Sequence, residues 1–472
     1  MAELCDLEAT ELRRLVGAGE VSPVDLVESC IARIEAADPA VNAITAKAYD
    51  RARAEAREAE AAVRRGDALG PLHGLPIGVK DLSDTEGLLT TFGSPLFADN
   101  VPAADERVVA VLRQAGAIVL AKTNTPEFGA GANTRNAVFG PTRNPFDHRL
   151  TCGGSSGGSA VALACGMVPL ATGSDLAGSL RTPAAFCGIV GFRPTPGLVP
   201  TETRGHGWSP LPVDGPMART VADAALMLSA MVGDDPRDPL SLGADGEAFR
   251  ALDTVDLGGL TVAFTEDLGF APVDGRVRAA FRRARQALEP AIGRGVDFTM
   301  NMAGVDEAFA TLRAVGFVAA HREKVEATPD KVGPNVSANV AAGLTLGLAD
   351  VAEALTVQTR VLRDADAFLA GVDAVICPVA GHPPFPWEDW YPATIDGLPL
   401  SSYFHWLALA YGPTLAGLPS VALPFGRDDS GLPFGLQIIG RRRGDRAVLS
   451  VASAIEEWAG RNGFGRAVPE SA

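Results

Sequence analysis

The chain has 472 residues, 47% hydrophobic and 21% charged, with a formal net charge of −16. Length and composition fit a soluble globular protein with a large core. The acidic balance speaks against a nucleic-acid partner and against an anionic membrane surface, and leaves a small-molecule ligand as the natural fit.

Residues 7–65 read as helical. Ser22-Pro23 is a serine cap followed by a proline in the first turn. Val24, Leu26, Val27, Ile31 and Ile34 then recur at helical spacing. Residues 48–65 are rich in Ala, Arg and Glu, as in a solvated helix with opposite charges four apart. From Gly70 the texture changes to short apolar runs punctuated by Gly, Pro and Asn. Pro76-Ile77-Gly78-Val79 and Ala117-Ile118-Val119-Leu120 predict buried strands, with a helix over 108–114 between them. This alternation predicts an α/β fold built on a mixed, partly parallel sheet. Helices are expected at 275–292, 304–323, 335–370 and 447–460, and further buried strands at 373–378 and 419–424. No repeat or long linker is visible. The expectation is one domain over 1–472: a helical region at 1–68, a core at 70–225, a helical insertion near 230–370, and a return to the core sheet over 371–472.

The first residues carry neither a basic nor an apolar stretch, so a secretory signal is not expected. The apolar run 161–172 is too short for a bilayer and is broken by Gly166 and Pro169. Six cysteines without a C-x-x-C pair indicate neither a disulfide framework nor a zinc site, and a reducing, cytoplasmic setting is expected. Six scattered histidines form no metal-binding pattern, and no cofactor motif occurs.

The segment Thr151-Cys152-Gly153-Gly154-Ser155-Ser156-Gly157-Gly158-Ser159 carries the chemistry. So many small residues gain nothing inside a regular element, since glycine costs about 0.5–1 kcal/mol there relative to alanine. A phosphate loop would need a following Gly-Lys-Ser/Thr, which is missing. Gly153-Gly154-Ser155-Ser156-Gly157 has the letters of a nucleophile elbow, but turn formers precede it where a strand should be. A structural turn remains open on these residues alone. Gly78-Val79-Lys80-Asp81 lies upstream, and Gly173-Ser174-Asp175-Leu176-Ala177-Gly178-Ser179-Leu180-Arg181-Thr182-Pro183 downstream.

Together these segments resemble the amidase signature family. The segments 120–128, 185–195, 215–220 and 416–420 follow its pattern in order, so the resemblance spans almost the whole chain. It implies that family's α/β fold, a central mixed twisted sheet with helices on both faces, and a Ser–cis-Ser–Lys triad with no cofactor or metal. Matched by motif, Lys80 is the base, Ser155 the bridging serine after a cis peptide, and Ser179 the nucleophile. Ser156 is the neighbour most easily mistaken for Ser155. Leu176, Ala177, Gly178 and Ser179 would offer backbone N–H groups to an oxyanion. The family usually has glycine where Ala177 stands; the donor survives, but a β-carbon shapes the loop. Asp175 and Arg181 would hold that loop, and Gly129 would lie beside the substrate. A lysine acts as a base only when neutral, which burial promotes, and the apolar strand leading into Lys80 suits that.

Aromatics make up only 6% of the chain yet crowd residues 382–411: Phe385, Trp387, Trp390, Tyr391, Tyr403, Phe404, Trp406 and Tyr411. They are expected either to pack under a long loop or to form an apolar pocket facing Ser179, with Trp387, Trp390, Tyr391, Tyr403, Phe404 and Trp406 as candidates. His382 and His405 are read as structural. The family also contains glutamine-dependent tRNA amidotransferase subunits, whose matching region carries charged residues. The expected function is therefore hydrolysis of small apolar or aryl amides, with carbamates (urethanes) and esters open to the same acyl-enzyme route. Ammonia delivery to a partner protein is the alternative, and the resemblance favours a homodimer.

Overall fold

A computed structural model describes residues 3–470. Eleven strands form one twisted sheet, flanked by 13 α-helices. From one edge to the other the strands run Ile44–Lys47, Ile118–Thr123, Pro76–Lys80, Leu170–Asp175, Val213–Ala218, Val190–Arg193, Ser420–Arg427, Pro433–Ile439, Ala374–Pro378, Thr261–Phe264 and Arg294–Asp297. Pro76–Lys80 is parallel to both its neighbours, and the last three strands are parallel to one another; the remaining pairings are antiparallel. Pro76–Lys80, Ile118–Thr123, Ala374–Pro378 and Pro433–Ile439 are buried along their whole length, which is why the first three carry the apolar runs that predict them.

The expected helix after Ser22 spans Pro23–Val41, with the Ser22 hydroxyl accepting from Val24 N at 3.0 Å. Two parts of the sequence reading are corrected. The stretch 7–65 is not wholly helical: Ile44–Lys47 leaves it to pair antiparallel with Ile118–Thr123. Nor is 230–370, where Thr261–Phe264 and Arg294–Asp297 extend the same sheet. All three exceptions are four-residue strands, and Arg294–Asp297 is a mostly exposed edge, so none shows a clean alternation. No single helix among the described residues is long and apolar enough to cross a membrane; Pro334–Leu344 and Leu348–Leu369 reach that length together only across a 105° bend.

The sheet positions the site through neighbouring parallel strands. Pro76–Lys80 and Leu170–Asp175 pair in register, Ile77 with Leu170 and Gly78 with Ala171, so Lys80 and Asp175 both sit at C-terminal strand ends. Helix Gly157–Ala164, buried throughout, packs on these two strands and carries Ser155 and Ser156 at its entrance. Its glycines are required by contact. A Cβ on Gly158 would lie 2.2 Å from the backbone nitrogen of Asn124, so no other residue fits this close approach.

Candidate active site

Lys80 is fully buried, and its backbone N–H donates to Thr172 Oγ1 at 2.9 Å. Its Nζ lies 2.7 Å from Ser155 Oγ, 2.9 Å from Ser156 Oγ and 2.9 Å from Ser174 Oγ. Burial pushes this ammonium down to about 7, against the pull of Asp214 and Asp175. The Gly154–Ser155 peptide is cis. Asp81, next in sequence, is not the partner of Lys80. It accepts from the Thr91 backbone and hydroxyl and faces a second buried lysine, Lys122, at 3.9 Å.

Ser155 and the half-buried Ser179 line one cavity of about 240 Å³. Ser156 does not line it. Its Oγ accepts from Ser174 N at 3.2 Å and donates to Ser174 O at 3.3 Å, while its N–H donates to Ser179 O at 3.1 Å. Thus Ser156 ties the helix entrance to the loop bearing Ser179, and Ser155 faces the open space. Gly129 borders the same cavity, with φ +70°.

The loop 176–180 is organised by one carboxylate. Asp175 Oδ1 accepts from Gly178 N at 2.9 Å and Oδ2 from Leu180 N at 3.1 Å. Arg181 grips the same carboxylate with Nε and Nη2, both at 2.9 Å, and its Nη1 reaches Ala410 O and Gln437 Oε1. Arg193 Nη1 adds a bond to Asp175 O at 2.6 Å. Burial alone would push the Asp175 carboxyl up; the charge and hydrogen bonds of Arg181, with Arg193, overcome this and hold it well below the usual range. Among the candidate oxyanion donors, the N–H of Gly178 is therefore occupied by Asp175. Those of Leu176, Ala177 and Ser179 have no protein partner among the described residues. Ala177 keeps a negative φ, so its β-carbon imposes no left-handed strain.

The aromatic pocket is corrected. None of Trp387, Trp390, Tyr391, Tyr403, Phe404 or Trp406 lines the cavity around Ser179. Trp406 is buried against Phe385 and Phe186. Phe404 packs edge-on to Phe309, and the Tyr403 hydroxyl accepts from Arg313 and Asn339. The carbonyl of Trp387 accepts from Asn133, and Trp390 lies 44% exposed under the Arg135 guanidinium. The rings pack partly on one another and partly on neighbouring elements, through Phe186, Phe309, Arg135 and Arg313, and are used up there before they reach the triad. The cavity wall comes instead from Leu82 and Phe128, the segment 201–212, and the helix Val305–Ala327 through Leu312, Arg313, Gly316, Phe317, Ala320 and His321.

The sequence reading also missed Ser174 as the third oxygen around Lys80. Its signal was present: Ser174 directly precedes Asp175 in the stretch that leads to Ser179.

A family model described as Amidase matches residues 25–449. An acylamidase of Rhodococcus erythropolis is 34% identical over 467 residues, covering 96% of each chain. A glutamyl-tRNA(Gln) amidotransferase subunit of Moorella thermoacetica is 35% identical over 494 residues, covering 96% of this chain and 97% of that one. Among solved structures, a bacterial aryl acylamidase of the amidase signature enzymes superposes with a TM-score of 0.88 at 29% identity, covering 96% of both chains. The corresponding amidotransferase subunit of Thermotoga maritima superposes at 0.76 with 26% identity, covering 100% of this chain and 99% of that one.

Proposed function

Because this chain belongs to the amidase family, and so hydrolyses carbon–nitrogen amide bonds, we propose that it does so through Ser179, Ser155 and Lys80 on small apolar or aryl amides. The observation that carries the reading is a fully buried lysine whose Nζ bonds a serine that shares its cavity with a second serine. Serine is a weak nucleophile until a base removes its proton. Neutral Lys80 takes the proton of Ser155 as Ser155 takes that of Ser179, and Ser179 Oγ attacks the carbonyl carbon. The free N–H groups of Leu176, Ala177 and Ser179 meet the oxyanion; one such donor is worth about 10²–10³ in rate. The Lys80 ammonium returns its proton through Ser155 to the leaving nitrogen, and the C–N bond breaks. Water then repeats the route on the acyl-enzyme.

The apolar side chains of Leu82, Phe128, Leu211, Pro212, Leu312 and Phe317 support an apolar or aryl group beside the scissile bond. Carbamates and esters present the same carbonyl to the same groups. Six free, buried cysteines support a reducing, cytoplasmic setting. The second reading, ammonia delivery within an amidotransferase, has the 35% identical Moorella protein in its favour. The higher superposition on the aryl acylamidase, 0.88 against 0.76, favours the free-standing hydrolase.

Two measurements test this. A fluorophosphonate should label Ser179, and Ser179→Ala should abolish labelling; a label that persists removes Ser179 as nucleophile. Purified enzyme should cleave members of a panel of anilides, aliphatic amides, carbamates and esters. Glutaminase activity that depends on added subunits, with no activity on the panel, would establish the amidotransferase reading instead.

A further inference from the structure

Two arginines line the cavity, and their surroundings differ. Arg204 is charge-paired, with Nη1 2.9 Å from Asp238 Oδ1. Arg313 is 5% exposed and has no carboxylate within ion-pair distance among the described residues. Its Nε donates to Asn339 Oδ1 at 3.2 Å and its Nη2 to the Tyr403 hydroxyl, both neutral acceptors. Its guanidinium carbon stands 4.6 Å from the Phe317 ring centroid and 5.2 Å from that of Phe404. The two bonds and the flanking rings set the plane of the guanidinium, and Nη1 is left without a protein partner among the described residues. Eight residues on, about two helical turns, His321 lines the same cavity. Its Nδ1 is buried with no hydrogen-bond partner. Burial, with Lys324 and Arg313 nearby, pushes this imidazole down to about 4, so it stays neutral and offers one ring N–H.

A buried cation without a counter-charge is costly to keep, and the polar groups around it are normally satisfied. Nothing in the triad chemistry uses this one. The chain as a whole is acidic, so attraction for an anion must come from cations inside the cavity. A planar guanidinium with a free edge matches a carboxylate by geometry as well as by charge.

We propose that Arg313, with His321 beside it, forms a subsite for a carboxylate carried by the substrate away from its scissile bond. This rests on the hydrolase reading for its meaning, because the same cavity holds Ser179. The preferred substrates would then be amides whose apolar or aryl body ends in an acid group, and Arg313 would set that preference without taking part in proton transfer.

Binding tests this independently of turnover. In the Ser179→Ala background, calorimetry would compare two ligand pairs of matched shape. N-phenylsuccinamate against butyranilide places the charge on the acyl half, and 4-acetamidobenzoate against 4-acetamidotoluene places it on the amine half. In at least one pair the carboxylate should bind about 10-fold tighter or more, as a charge-assisted fork would give. Adding Arg313→Gln should collapse that ratio toward one. Equal or weaker binding of the carboxylate in both pairs overturns the proposal, whether or not the Gln variant folds. So does a ratio that survives Arg313→Gln in a folded protein. Turnover of the same four compounds by the unmodified enzyme reports separately on the hydrolase reading, so failure of one is distinguishable from failure of the other.

Discussion

The Lys80 environment makes a quantitative prediction about pH. Only neutral lysine accepts a proton, and burial lowers the Lys80 value from 10.5 to about 7. The sign follows directly: acid charges Lys80 and stops the reaction, and base releases it. At pH 5 only about 1% of the lysine is neutral, at pH 6 about 9%, and at pH 8 about 90%. The profile of kcat/KM on a neutral anilide should therefore rise about 100-fold from pH 5 to a plateau above pH 8, with its midpoint near 7. A lysine at 10.5 would still gain roughly tenfold per pH unit at pH 9. The assay is initial rates between pH 5 and 9.5 at constant ionic strength, with a substrate that has no titrating group in that range. Besides Asp445 at about 6 and Glu456 at about 8, both raised by burial, two further buried groups have values in the same window. Burial puts Lys122 at about 8, against the pull of Asp81, and burial with Asp214 lifts Glu106 to about 8. Neither lines the cavity, but Glu106 repels Asp214, which in turn pulls on Lys80, so Glu106→Gln should move the midpoint only upward, by easing the ionisation of Asp214. A midpoint above 9, or a maximum near pH 5, would refute Lys80 as the neutral base.

Two substitutions probe the scaffold around the triad. Asp175→Asn leaves the buried guanidinium groups of Arg181 and Arg193 without their shared charge. It should cost about 3–5 kcal/mol in denaturant unfolding, and a loss below about 1 kcal/mol would contradict the anchoring role. Gly129→Ala places a Cβ 3.1 Å from Leu82 Cδ1 and 3.3 Å from Ser155 Oγ at a φ of +70°. Stability should fall by only about 1 kcal/mol or somewhat more while kcat falls about tenfold, through displacement of Ser155; an unchanged kcat would exclude close packing there.

The sheet and the cavity were legible to different degrees, for physical reasons. Strands buried on both faces, such as Pro76–Lys80 and Ala374–Pro378, announce themselves as apolar runs. Ile44–Lys47 and Arg294–Asp297 do not, because a four-residue edge strand owes its form to the neighbour it pairs with. The residues around Lys80 lie in short segments whose small side chains are demanded by close backbone approach, and these stand out against ordinary composition. The cavity wall does not. Helix Val305–Ala327 turns Arg313 and His321 toward Ser179 only through long-range packing, and its apolar residues repeat as in any core helix. The aromatics at 382–411 were conspicuous for the opposite reason: rings such as Phe385 and Trp406 gather to bury one another, and density of rings is a poor guide to where a ligand sits.

The three serines around Lys80 also constrain where hydrogens can be. An ammonium has three N–H bonds, and three hydroxyl oxygens stand ready to receive them. A neutral amine has two hydrogens and one lone pair, so one hydroxyl must turn to face the nitrogen. Ser156 is not free to do so while its hydrogen is engaged by the Ser174 carbonyl. The rotation falls to Ser155 or Ser174. The neutral and charged forms of the site then differ by one proton on Nζ and one hydroxyl torsion, with every heavy atom in place.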